Sequence, residues 1–167
     1  MSLSLTPKSF FTLFLSLLLF FSATCGAAGS ASIQSLLKSQ GLPGGLFPSN
    51  VKSYSLNDQS GRLQVNLEGP CMARFDTRVY FDKVVRANLS YGGLAGLEGL
   101  TQEELFLWLP VKGIMVNDPS SGLILFDIGL AHKELSLSLF EEPPVCKPRS
   151  GALPENVGRK MGFDAQR

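Results

Sequence analysis

The sequence predicts a mainly β protein, an antiparallel barrel-like or sandwich domain with one short N-terminal helix. Beyond Tyr54, apolar residues recur at every second position, which is the period of a strand with one buried face. The alternating segments are short and are separated by turn-forming residues such as glycine, asparagine and aspartate. Helical spacing of apolar residues is confined to a short segment over residues 30–40. Together these features are typical of antiparallel sandwiches and barrels.

Residues 1–28 have the layout of a secretory signal peptide. Lys8 provides a positive start, an apolar run extends from Phe10 to Phe21, and small residues follow as far as Ala28. A run of about 12 residues is shorter than the roughly 20 that a membrane-spanning helix needs. We therefore expect cleavage near Gly29, no stable membrane span afterwards, and a secretory location, either extracellular (apoplast) or in an endomembrane lumen. An uncleaved signal anchor is the alternative.

The mature chain of about 139 residues fits one domain. We predict a single β-rich domain over residues 29–146 and a disordered polar tail over residues 147–167. After loss of Lys8, fourteen basic residues balance fourteen acidic ones. This near neutrality argues against nucleic-acid binding, which depends on clustered Lys and Arg. We expect a monomer.

Two cysteines, Cys71 and Cys146, remain once Cys25 leaves with the signal peptide. An even number in an oxidising compartment favours one disulfide. The bond would close a loop of about 75 residues, and chain entropy predicts a stabilisation of up to about 4 kcal/mol. Two free buried thiols are the alternative.

The elements follow in chain order. In the helix, Ser32 is the predicted N-cap and Gly41 the C-terminal stop. Residues 41–51 hold two prolines and three glycines and predict a loop. Period-two segments predict strands over residues 62–69 and 77–92, with one apolar face formed by Leu63, Val65, Leu67, Val79, Phe81, Val85, Ala87 and Leu89. A compact apolar run bounded by glycines, residues 122–129, predicts another strand. Residues 91–100 contain four glycines and are interpreted as a flexible connection.

The apolar run from Leu105 to Val111 contains the only tryptophan, Trp108. Seven residues cannot span a bilayer as a helix. The aromatic content favours a buried central strand covered on both faces, with Pro110 at its end or at a bulge. The rival is a helix that begins at a capping box formed by Thr101 and Glu104.

Several segments together resemble a known family. They are "GLPGGLFPSNVKSY", "CMARFDTRVYFDKVVRANLSYG", "ELFLWLPVKGI" and "LILFDIGLAHKELSLSLFEEPPVC", between about Ile33 and Cys146. In order and spacing the chain resembles the plant domain-of-unknown-function 538 family. The resemblance implies a plant protein with a signal peptide, a compact antiparallel β domain and no established catalytic residue. It also implies a likeness to lipid-binding bactericidal/permeability-increasing proteins, and roles in stress responses and epidermal hair development.

Large apolar residues are the first candidate site. Phe106, Trp108, Met115, Phe126 and Phe140 would contact a small apolar or lipid-like ligand, or else fill the core.

The only histidine, His132, is the candidate base of a hydrolase, with Asp127 to orient it and Ser136 or Ser138 as nucleophile. No G-x-S-x-G motif is present, and a lone histidine between charged neighbours is more often a surface residue. We therefore assign no catalytic residue. We also expect no metal site and no cofactor, because adjacent acids such as Glu103 and Glu104 point to opposite faces of a strand.

Two polar features remain. Asn88 opens an N-glycosylation sequon that ends at Ser90. The charged residues between Arg74 and Arg86 alternate in sign and predict outward ion pairs, or a polar face for an extracellular protein or glycan.

Three functions remain open. The first is a non-catalytic secretory-pathway protein that binds a small apolar or lipid-like ligand. The second is a hydrolase that acts on ester or cell-wall substrates through His132. The third is a structural or signalling partner in stress response or epidermal development. An internal cavity would favour the first, a cleft with His132, a serine and an acid the second, and a solid core with an exposed apolar patch the third.

Overall fold

The structure is a computed structural model, and it describes residues 32–148. The predicted signal peptide, residues 1–28, and residues 149–167 of the predicted tail lie outside this part of the chain. The helix is α1, Ile33–Ser39. The ten strands of the described part are β1 Val51–Asn57, β2 Arg62–Leu67, β3 Cys71–Arg74, β4 Arg78–Ser90, β5 Gly93–Glu104, β6 Leu107–Pro110, β7 Gly113–Met115, β8 Leu123–Asp127, β9 His132–Ser136 and β10 Lys147–Pro148.

Helix α1 begins and ends where the sequence predicts. The Ser32 hydroxyl accepts a hydrogen bond from the Ser35 N–H at 3.2 Å, which satisfies one of the free donors of the first turn. Ile33 and Leu37 are buried, so one face of the helix packs on the sheet core. Gly41 follows with φ +71°, the left-handed conformation that ends many helices.

The strands form one antiparallel sheet that branches around its two longest members. The main path runs β1-β2-β4-β5-β7-β8-β9. Strand β4 pairs with β3 through its first half and with β2 through its second half. Strand β5 pairs with β7 near its start and with β6 near its end. The mainly β class is confirmed, and this sheet is consistent with a barrel-like or sandwich shape.

Alternation places the core as the sequence predicts. Leu63, Val65 and Leu67 of β2 are almost completely hidden from solvent. Val79, Phe81, Val85 and Ala87 of β4 are buried beside them, and Leu89 is partly buried against the same cluster.

The glycine-rich segment, residues 91–100, is a correction. It is mostly strand β5, at the centre of the sheet, and only Tyr91 and Gly92 form a turn before it. Gly99 has φ +85°, and a Cβ at this position would lie 2.5 Å from the carbonyl oxygen of Val84. The pairing of β4 with β5 is irregular here, so glycine permits bulges and close backbone approach within a strand. Glycine composition alone therefore concealed a strand.

A disulfide joins Cys71 of β3 to Cys146, with their Cα atoms 5.6 Å apart, inside the range that a bridge requires. The bond holds the C-terminal segment against the sheet, where Lys147 lies opposite Met72. Sheet pairing thus continues to Pro148, two residues beyond the domain end predicted at Cys146.

Candidate functional site

The run Leu105–Val111 forms the β5–β6 hairpin and does not form a central strand. Glu104 lies opposite Leu107, so Leu105 and Phe106 alone make the turn. Strand β6 pairs with β5 and with no other strand of the described chain, so it is an edge strand. The predicted central strand and its helical rival are both wrong, whereas the placement of Pro110 at a strand end is confirmed.

We call Leu105, Phe106 and Leu107 the hairpin tip. Their exposed fractions are 83%, 93% and 54%, so three consecutive apolar side chains face solvent. Leu105 and Phe106 have φ of +49° and +68°, a conformation that favours glycine or asparagine. Sequence reasoning missed this turn because no glycine, asparagine or aspartate marks it.

Trp108 is 8% exposed, as predicted, but it lies outside the core cluster formed by the described residues. It lies opposite Glu103 in the β5–β6 pairing. The guanidinium carbon of Arg78 lies 5.8 Å from the centre of its ring, a cation–π distance. Trp108 is therefore covered by a neighbouring arginine at the base of the hairpin.

An ion pair fixes one face of this base. The Arg78 guanidinium donates two hydrogen bonds to the carboxylate of Glu103, a bidentate arrangement. These bonds lower the pKa of Glu103 and raise the pKa of Arg78 from their ordinary values. The side chain of Arg78 is 59% exposed and that of Glu103 is 17% exposed, so the pair lies at the surface and orients the hairpin more than it stabilises the fold.

A second ionic group fixes the opposite face. The Lys133 ammonium of β9 lies 2.8 Å from Glu104 Oε2 and 3.4 Å from Asp76 Oδ2. The buried Gln102 amide donates a second hydrogen bond to Glu104 Oε2, at 3.3 Å. The hydrogen bond from Lys133 lowers the pKa of Glu104. Burial acts to lower the pKa of Lys133, but the bonds and charges of both carboxylates outweigh it and the pKa is raised.

A shallow depression of about 430 Å³ lies beside the hairpin base. We call it the basic depression; it is lined by Met72, Ala73, Arg74, Arg78, Pro144, Val145 and Lys147. Arg74 and Arg78 lie directly opposite each other on β3 and β4. The sequence pattern did not predict that these cations lie together. The predicted disulfide could have indicated it, because a bond from Cys146 to Cys71 brings the neighbouring Lys147 beside β3.

A larger open groove of about 510 Å³ lies at the β4–β5 turn and contains Met115, one of the predicted ligand residues. Met115 is 38% exposed, and glycines form much of the surrounding surface. The side chain of Tyr91 stands at the edge of this groove and is largely exposed.

The five predicted apolar residues do not form one site. Phe126 and Phe140 are completely buried with ring centres 5.4 Å apart, and they fill the core. Phe106 belongs to the hairpin tip, Trp108 lies beneath Arg78, and Met115 lies in the separate groove. The core alternative for Phe106 is wrong, because its side chain faces solvent, and its role as a ligand contact stays a prediction.

The residues of the candidate hydrolase are not assembled. His132 is exposed and lies opposite Asp127, whose carboxylate instead accepts the Gly129 N–H at 2.8 Å. Ser136 lies four residues further along β9, about 13 Å away at the rise of a strand. Its hydroxyl bonds the Ser138 hydroxyl at 2.7 Å.

The sequon residue Asn88 is exposed on β4, where it lies opposite Ala95 of β5.

Comparison with known proteins adds a family to this geometry. The chain matches the sequence profile of a family described as "Protein of unknown function, DUF538" over residues 33–141, about two thirds of its length. The chain belongs to the DUF538 family. The DUF538 match contains the hairpin tip and both ionic groups at its base, and it ends before Cys146 and Lys147. The comparison with curated proteins found no match.

Within residues 32–148 of this DUF538 protein, the structure contains no helix of the length and apolar character that a membrane crossing requires.

Proposed function

We propose that this DUF538 protein is a non-catalytic protein of the secretory pathway that binds an apolar, lipid-like ligand on its surface through the hairpin tip. One observation carries the proposal. Leu105, Phe106 and Leu107 are consecutive and exposed, and two of them occupy left-handed backbone positions. Non-glycine residues in such positions cost of order 1–3 kcal/mol each and concentrate at functional sites.

The composition of the turn supports a binding role. An Asn-Gly pair would suit two left-handed positions and would present polar atoms to water. Leucine and phenylalanine neither suit left-handed backbone nor present polar atoms to water. The turn is therefore unfavourable in backbone conformational energy and in the hydration of its side chains. Single exposed apolar residues are common on protein surfaces, whereas a contiguous apolar group on a protruding element is typical of interaction sites.

The surroundings of the tip support pre-organisation. Arg78 holds Glu103 on one face of β5, and Lys133 holds Glu104 on the other. These two acids directly precede the turn, so both faces of the strand are anchored where the tip begins. A rigid binding element loses less conformational entropy when it binds.

Surface binding also agrees with the packing of the interior. Phe126 and Phe140, two of the expected ligand contacts, pack on each other, and Phe75 lies 4.4 Å from Phe140 between ring centres. An exposed apolar patch over a packed core is also the arrangement that favours a structural or signalling partner, whereas lipid binding at the surface needs no internal cavity. A partner protein that binds the hairpin tip in an apolar cleft is therefore the competing hypothesis. The hydrolase alternative gains no support, because His132 and Ser136 lie far apart.

Vesicle flotation tests the proposal with the full secreted chain and phosphatidylcholine vesicles. The informative variant is Leu105→Asn with Phe106→Gly, which removes two apolar side chains and keeps a favourable turn. The matched control is Leu130→Ser, since Leu130 is 88% exposed on the β8–β9 loop. We expect the wild type and the control to float with the vesicles and the turn variant to remain behind.

Two results would count against surface lipid binding. One is equal flotation of all three proteins. The other is no flotation of any of them, together with no lipid in mass spectra of organic extracts of the purified wild type.

A further inference from the structure

Four cations and three carboxylates surround the base of the hairpin, and they are not evenly paired. The ion pairs of the described chain join Arg78 to Glu103 and Lys133 to both Glu104 and Asp76. They leave Arg74 and Lys147, both exposed, without an acidic partner within residues 32–148. This end of the sheet therefore carries unpaired positive charge beside its apolar tip.

The unpaired cations share one surface. Arg74 lies opposite Arg78 on β3 and β4, and Lys147 lies opposite Met72 one strand further out. Arg74, Arg78 and Lys147 line the basic depression, together with the apolar Met72 and Val145. Like charges directly opposite each other on neighbouring strands are destabilising, and within the described chain Glu103 is the one acid that pairs with either arginine. The disulfide at Cys146 holds Lys147 in this arrangement.

The basic depression and the hairpin tip are continuous. Arg78 lines the depression, binds Glu103 and covers Trp108. Phe106 lies two residues before Trp108, which lies opposite Glu103, so its backbone is at most about 7 Å beyond this pair along the strand direction. Apolar groups of interfacial proteins enter a bilayer by roughly 5–10 Å while their charged groups stay among the headgroups. The separation between the tip and Arg78, with Arg74 opposite it, matches this depth.

We infer that the ligand is an anionic lipid in a bilayer surface. The hairpin tip inserts among the acyl chains, and Arg74 and Lys147 bind the phosphate or carboxylate of the lipid headgroup. This inference rests on the proposed function, because it names the headgroup that the same surface selects. A bilayer accommodates a convex tip without a matching cleft, and the unpaired cations complement its anionic headgroups. A protein partner would need both an apolar cleft and an acidic rim.

The test compares vesicles of phosphatidylcholine alone with vesicles that also contain phosphatidylglycerol. The variant is Arg74→Gln with Lys147→Gln. The matched control is Lys52→Gln, an exposed cation on the edge strand β1. Each of the two cations should increase the affinity for an anionic surface about fivefold. The wild type should therefore bind the anionic vesicles about 25-fold more tightly than the neutral ones. The double variant should lose this preference, the control should keep it, and added salt should weaken it.

The outcomes separate the two proposals. Equal wild-type affinity for both vesicles, abolished by Leu105→Asn with Phe106→Gly, would overturn the headgroup inference and leave the proposed function standing. No binding to either vesicle would overturn both. Inorganic phosphate is the remaining arm. If it shifts the amide NMR signals around Arg74 and Lys147 at concentrations where vesicles show no preference, the site takes a free anion and the lipid assignment is wrong.

Discussion

Glu104 and Leu107 lie directly opposite each other in the β5–β6 pairing, and only Leu105 and Phe106 connect them. Both connecting residues have positive φ. The chain therefore reverses in the tightest common type of hairpin with residues that are poorly suited to it. Backbone strain, apolar exposure and the nearby cations coincide at this one position.

Replacing Leu105 by Asn and Phe106 by Gly should stabilise the protein by about 1–2 kcal/mol, because the new pair adopts left-handed backbone at little cost. Urea denaturation should show a higher midpoint with an unchanged slope. The same variant should lose vesicle binding, a stability gain accompanied by loss of function. An unchanged or lower midpoint would show that the two side chains support the fold.

Replacing Trp108 by Ala should destabilise the protein by about 3–5 kcal/mol, because a large buried ring would leave a cavity at the hairpin base. Replacing Arg78 by Ala should cost far less, because its guanidinium lies at the surface. Thermal unfolding of the two variants in parallel measures this order. Similar losses for both would mean that the arginine cover, and not burial of the ring, determines the contribution of Trp108.

Replacing Glu104 by Gln should reduce the loss of stability in acid. The pKa of Glu104 is lower in the folded protein than its ordinary value of 4.5, chiefly because Lys133 donates to it. Its contribution is therefore complete above about pH 4.5 and is lost as the pH falls through the lower, folded-state pKa. Unfolding free energies should differ between wild type and variant at neutral pH by at most about 1 kcal/mol. The two curves should converge in acid, and a constant offset would contradict this linkage.

Replacing Cys71 and Cys146 together by Ser should lower stability by about 4 kcal/mol, since the bond closes a loop with a sequence separation of 75 residues. The preference for anionic vesicles should fall as well, because Lys147 would no longer be held beside Arg74. Hydrogen exchange should show early loss of protection at Lys147. A variant that keeps both its stability and its lipid preference would refute this role of the disulfide.

Expression through a eukaryotic secretory pathway should yield a protein that begins near Gly29 and carries a glycan on Asn88. Asn88 and Ser90 are both exposed, so the sequon is accessible on the sheet surface. Amino-terminal sequencing and a mass shift on glycosidase treatment measure these features. Asn88→Gln is the control, and an intact Met1 on a cytosolic protein would contradict the signal peptide.

The amino-acid sequence by itself determined the β class, helix α1 and the buried face of β2 and β4. These features follow from local periodicity and capping, which depend on neighbours a few residues apart. It also indicated the pairing of Cys71 with Cys146, because only two cysteines follow the predicted signal peptide.

Only the tertiary structure decided where the remaining apolar and charged residues lie. Leu105 and Phe106 were expected to be buried because they are hydrophobic, but the pairing of Glu104 with Leu107 places them in an exposed turn. The glycines of residues 91–100 suggested a loop, but long-range pairing makes most of this segment part of strand β5. Arg74 and Lys147 are far apart in sequence, and only the pairing of β10 with β3 brings them to one surface. Such contacts depend on which strands meet, which local pattern does not encode.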